Sequence, residues 1–181
     1  MSISISKFVF GSPEEDYKNS ARVFLSEEIK KYGNAQYGEL PVLLSAIRSV
    51  SLIHQQNHWI SSGDKYYGDH LLFMRLYESV DAEIDKLAEK IVGLAIPEFV
   101  CLVPQINHLA KFIDKFKTEL TVENTVKVSY QAELFFMALC TLIFEQLKTV
   151  KLLTPGLEQT LGTILESHET NLYLLKQRYQ S

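Results

Sequence analysis

Residues 134–144 read LFFMALCTLIF, a run without a charged side chain. A helix that is apolar at every phase has no solvent face, so this one is buried all round, in a large core or against partner subunits. The run is far short of the ~20 apolar residues that a membrane span needs. Outward from it, the helix begins near Thr121, with Glu123 in its first turn, and continues to about Lys151. Thr154-Pro155-Gly156 separates it from a last helix, Leu157 to about Tyr179. Upstream, residues 97–120 are less regular: Pro104 interrupts them, and His108 to Phe116 has the pattern of a short helix. Two long helices precede that stretch. One starts near Glu39 and Pro41 and ends before Gly63, with Leu43, Ile47, Val50 and His54 recurring at spacings of three and four. The other runs from about Lys65 to Leu94, with Leu72, Leu76, Val80, Ile84, Leu87 and Val92 as its core side, and Pro97 closes it. At the start, Ser12-Pro13-Glu14-Glu15 combines a cap, a first-turn proline and acids at the positive end of the helix dipole. That helix runs to about Tyr32 and stops at Gly33. Its apolar side, Val23, Phe24 and Ile29, is narrow, so it lies across the rest.

Composition agrees with long helices. Eight glycines and five prolines in 181 residues are too few for a turn-rich sheet fold. A chain that is 46% hydrophobic and 22% charged is globular rather than disordered. The net charge of -4 excludes a strongly basic nucleic-acid binder. Cys101 and Cys140 form no CxxC pair and no disulfide framework, which suits a reducing compartment. MSISISKFVF, with its lone Lys7, lacks the features of a signal peptide. A cytoplasmic protein with no membrane partner is expected. The short link between the second and third helices makes them antiparallel neighbours, and the long link between the third and fourth can cross the length of a bundle. The expected fold is all-α: a ferritin-like four-helix bundle with one long crossover connection over residues 39–181, and residues 1–38 as an N-terminal extension with one amphipathic helix.

The candidate chemistry lies in two histidines and a row of acids. His58 ends the second helix and His70 opens the third, with Gly63 turning the chain between them. Asp81, Asp85 and Glu89 step by four along one helical face. His70 and Asp85 are about 22 Å apart along the axis, so one ion cannot take both from the same chain. A second copy, antiparallel across a two-fold axis, would bring His58 and His70 of one subunit to Asp85 and Glu89 of the other. Mixed imidazole and carboxylate donors suit Fe(II), Zn(II) or Mn(II). The alternative reading is a solvated acidic face and two partly buried histidines.

The pattern His58-Trp59, Gly63, His70, Tyr77, Asp85, Ala88-Glu89 resembles the signature of the Dps-type mini-ferritins, the DNA-protection-during-starvation proteins. The last helix, SHETNLYLLKQRY, is similar to the family's closing helix, and the resemblance covers roughly residues 39–179. It implies a twelve-subunit hollow shell of four-helix-bundle chains. Such a shell binds Fe(II) between subunits, oxidises it with hydrogen peroxide, and stores ferric iron inside, which limits oxidative damage. It further implies that His58 and His70 are ligands from one subunit and Asp85 and Glu89 from its neighbour, with Trp59 beside the iron. One departure stands out. Where the family usually has an Asp four residues after the second histidine, this chain has Met74. A thioether is a soft ligand and a poor partner for ferric iron, so the second ion is expected to bind weakly. Asp69 points elsewhere on the helix, and Glu78 and Asp81 are nearer substitutes. The other reading of the chain is therefore a shell-forming structural or interaction protein with impaired ferroxidase chemistry.

The remaining candidates read as structural. His54, four residues before His58, is a satisfied core or interface histidine. The ExxH element of larger ferritins is missing, because Ser51, Gln55, Tyr67, Gln105 and Leu165 stand three before the histidines. Cys101 and His108 fall short of the four ligands of structural zinc. Cys140 is a small buried hydrophobe. His168-Glu169 is read as surface or pore lining. Lys7, Lys18, Arg22, Lys30 and Lys31 are balanced by Glu14, Glu15, Asp16, Glu27 and Glu28, so DNA binding is disfavoured.

Overall fold

The computed structural model describes residues 12–180, with side chains from Glu15 onward; the start of the chain, Lys7 included, lies outside the described residues. The chain is all-α and 84% helical, with six α-helices and no strand among the described residues. They are α1 (Ser12–Glu28), α2 (Glu39–Ile60), α3 (Tyr66–Leu94), α4 (Leu102–Asp114), α5 (Thr125–Thr149) and α6 (Pro155–Tyr179). Helix α2 packs on α3 and α5, and α6 packs on α5 and α3, which closes a ring of four long helices. Helix α4 lies on α2, and α1 lies on α5.

Local chemistry explains the boundaries. Gly33 and Gly63 turn the chain with φ of 57° and 81°, the left-handed region that favours glycine. Thr154 caps α6 by accepting from the Leu157 N–H at 3.2 Å, with Pro155 in the first turn. Pro104 does not interrupt the crossover segment. It sits in the first turn of α4, where no N–H is needed, so that helix starts at Leu102 rather than near His108. Helix α3 buries Phe73, Leu76, Val80, Leu87 and Ile91, whereas Leu72 is half-buried and Val92 is exposed. Adjacent apolar residues at both ends left that phase ambiguous.

Helix α1 buries Ala21, Phe24, Leu25 and Glu28, not Val23, which is 57% exposed. Phe24 meets Phe135 of α5 edge to face at 5.6 Å and Phe112 of α4 at 6.2 Å. This is the cover that the all-round apolar centre of α5 requires, and the same chain supplies it. By length and composition alone the segment Val122–Thr149 could cross a membrane, but most of its apolar window is buried against the other helices. Beside the aromatic cluster, the buried Glu28 carboxylate accepts from His108 Nδ1, Lys111 Nζ and, at 2.8 Å, Lys31 Nζ. Burial pushes Glu28 up, but the hydrogen bonds from Lys111, Lys31 and His108 override it and hold the carboxyl at about 2. His108 Nδ1 therefore carries the proton, and Nε2 accepts from the Tyr32 hydroxyl at 2.8 Å. Phe24→Ala should cost about 3–5 kcal/mol, as for other buried phenylalanines. Urea unfolding followed by circular dichroism measures it, and a change below about 1 kcal/mol would mean that α1 is not part of the cooperative core.

Candidate metal centre

His58 lies in the last turn of α2 and His70 in the second turn of α3, on either side of the turn at Gly63. Their rings stack, with centroids 3.7 Å apart and planes 23° from parallel. Each Nδ1 reaches the other residue's backbone carbonyl: His58 Nδ1 to the His70 oxygen at 2.8 Å, and His70 Nδ1 to the His58 oxygen at 3.1 Å. A carbonyl can only accept, so both Nδ1 atoms carry hydrogen. In the neutral rings both Nε2 atoms then hold lone pairs. A second N–H donated to a carbonyl is the usual support of a metal-binding imidazole. The clasp thus fixes the tautomer that a metal needs, in both rings at once.

A search of protein-family models and of curated proteins finds no match to this chain.

Both flanks of the clasp are anchored. Asn57 Nδ2 donates to the Thr125 carbonyl at 2.9 Å and to Ser129 Oγ at 2.8 Å, which ties the end of α2 to α5. Arg178 holds Asp69 through two bonds of 2.5 and 2.8 Å, which ties the start of α3 to the end of α6. Asp69 is therefore occupied and offers the site nothing. Tyr77 meets His58 edge on at 5.4 Å, and Tyr66 lies over His70 at 5.0 Å. Trp59 is 69% exposed. Asp85 and Glu89 are exposed farther along α3, as are Glu78 and Asp81. The chain does not bring Asp85 and Glu89 to its own histidines, and among the described residues no three His, Cys, Asp or Glu side chains are arranged to hold a metal ion. The row His70, Met74, Tyr77 lies on one face of α3. Contacts of His58 with both His70 and Tyr77 set that face against the end of α2.

A second polar cluster occupies the interior. Glu133, in the middle of apolar α5, accepts from His54 Nε2 at 2.9 Å and His168 Nδ1 at 2.5 Å. His168 Nε2 reaches Glu83 at 3.1 Å, and His54 Nδ1 meets Ser129 Oγ at 3.0 Å. The four ionisable residues come one each from α2, α3, α5 and α6, and Ser129 also stands on α5. Burial pushes Glu133 up, and the His168 imidazolium together with the hydrogen bonds from both histidines overrides it, to about 2. Burial pushes His168 down, and Glu133 and Glu83 override it, to about 9. Both rings satisfy their nitrogens within this network. His54 is a core histidine, as its place on the α2 stripe indicated. His168 is not surface or pore lining: it is fully buried in the row Leu157, Leu161, Ile164, His168, Asn171, Leu175. Glu83 and Glu133 are not among the residues that the sequence reading singles out. The available signal was a lone carboxylate inside an apolar helix, which must find a partner to be buried at all.

Proposed function

We propose that the chain is a Dps-like, iron-binding shell protein: a ferritin-like four-helix bundle, with α4 in the crossover, that assembles into a homo-oligomer of about twelve chains and oxidises Fe(II) between subunits. The observation that carries the reading is the reciprocal His58–His70 clasp, with two acceptor Nε2 atoms and, among the described residues, no third His, Cys, Asp or Glu arranged with them to hold a metal ion. Asp85 and Glu89 have the complementary shortage: two exposed carboxylates one turn apart, about 22 Å and about 28 Å along the axis from His70. A two-fold pairing answers both shortages. The exposed apolar side chains Leu102 (62%), Val103 (74%) and Ile106 (60%) on α4 supply a surface for self-association.

Planes that are nearly parallel and 3.7 Å apart do not converge on one ion in line with both lone pairs. Each ring is therefore assigned its own ion. His58 with the partner's Asp85 and Glu89 makes the tighter set, and His70 beside Met74 makes the weaker one. With two Fe(II) bound, each gives up one electron, the peroxide O–O bond breaks, two protons are taken up and two waters form. Ferric hydrolysis then releases protons as the oxyhydroxide deposits. Trp59, exposed and next to His58 in the chain, would intercept stray radicals.

Fe(II) oxidation by stoichiometric peroxide, followed as ferric absorbance on a size-fractionated shell, tests the reading. Glu89→Ala should lower the rate at least tenfold, while His54→Ala should leave the rate per folded chain unchanged. A 20.7 kDa monomer by light scattering, or equal rates in wild type and Glu89→Ala, would remove it. Met74 favours a second reading, a shell protein with impaired iron chemistry, and a faster Met74→Asp variant would speak for it. Gel-shift titration should show no tight duplex-DNA binding at physiological salt, given the net charge of -4 and the engagement of Lys31 and Lys111 by Glu28.

A further inference from the structure

The donors on the weaker side of the clasp include no carboxylate: His70 Nε2 and the Met74 thioether. Met74 follows His70 by one helical turn, and Tyr77 follows Met74 by one more. Met74 is half-buried and one turn along from His70, so its flexible thioether is within a helical neighbour's reach of the His70 ring. A borderline nitrogen and a soft sulfur, with no carboxylate, form a poor set for a hard di- or trivalent ion. They form a good set for a soft monovalent one, which needs only two or three donors and no charge compensation.

We propose that His70 and Met74, with His58 stacked alongside, bind a cuprous ion, one per chain. The proposal rests on the clasp geometry that also underlies the iron reading, but it needs no partner subunit: both donors belong to one chain. His70 is held ready by its Nδ1 bond to the His58 carbonyl, so binding need only orient the flexible Met74 side chain. Substituting Met74 therefore changes the preferred ion as well as the affinity.

The test is anaerobic titration with Cu(I) against a chromogenic cuprous chelator. It is made on the assembled protein in a Cys101→Ser background, because Cys101 is an exposed thiol that would compete. One Cu(I) per chain should be retained. Met74→Leu, which keeps the size of the side chain, should weaken retention at least tenfold, and His70→Ala should do the same. Asp85→Asn/Glu89→Gln should abolish iron oxidation and leave Cu(I) retention unchanged, which separates this inference from the iron reading. X-ray absorption of the loaded protein should show one sulfur and one imidazole around copper. Equal retention by Met74→Leu and its Cys101→Ser parent, or a copper shell without sulfur, would overturn the inference and leave the iron reading standing.

Discussion

Replacing Glu133 by alanine is expected to destabilise the chain by about 3–5 kcal/mol, as for other buried ion pairs that lose one partner. That is a large part of the 5–15 kcal/mol available to a typical domain. The carboxylate answers His54 at one oxygen and His168 at the other, so its loss breaks both bonds at once. The loss should depend on pH. His168 is held up at about 9, so its contribution is full below its ordinary 6.5 and is lost as pH rises through 9. Glu133 is held down at about 2, so its contribution is full above its ordinary 4.5 and is lost as pH falls through 2. His108 works in the opposite sense to His168. Burial lowers it, so its contribution is full above 6.5 and declines below. Wild-type stability should therefore peak near pH 6.5 and fall toward pH 9. In a Glu133→Gln/His168→Gln protein the alkaline decline should flatten. Denaturant midpoints across pH 5–9 check this, and an unchanged alkaline slope in the double variant would show that the network does not hold the proton assigned to it.

The second large effect is expected at Ile106. Leu102, Val103 and Ile106 share the outer face of α4, whose inner face packs Gln105, His108 and Phe112. Ile106→Glu leaves that inner face intact, so helicity and monomer stability should hardly change. In the proposed isologous contact the substitution would appear twice, and each copy would put an unpaired carboxylate where the proposal has an apolar contact. The assembly should fall apart to monomers at micromolar concentration. Iron oxidation should fall with it, because each half of the proposed site stands on a different chain. Light scattering reads the first effect and ferric absorbance the second. A fully assembled Ile106→Glu shell would place the self-association surface elsewhere.

What could be read from the sequence was local. Helix ends are marked by residues with few conformational options: Gly33, Gly63, Pro97 and the Thr154-Pro155 cap all fell where expected. Phase was harder where apolar residues adjoin, as at Leu72-Phe73 and Ile91-Val92, because a 3.6-residue period tolerates either neighbour. Pro104 was misread because a proline stops a helix only when it is not in the first turn. The spacing of His58 and His70 placed both rings at one turn, but their mutual clasp depends on where two carbonyls stand after α2 and α3 pack. The Glu83, Glu133, His54 and His168 cluster was out of reach for the same reason, since its members come from four helices and no spacing relates them.

The central claim is that two chains complete one metal site, and subunit mixing tests it most directly. A His58→Ala/His70→Ala chain and an Asp85→Asn/Glu89→Gln chain should each assemble and each fail to oxidise Fe(II). When they are dissociated and reassembled together in equal amounts, half of the pairs are mixed, and each mixed pair regains one of its two sites. Activity should return to about a quarter of wild type. A mixture as inactive as its parents would contradict the account, because it would mean that histidines and carboxylates from different chains never share an ion.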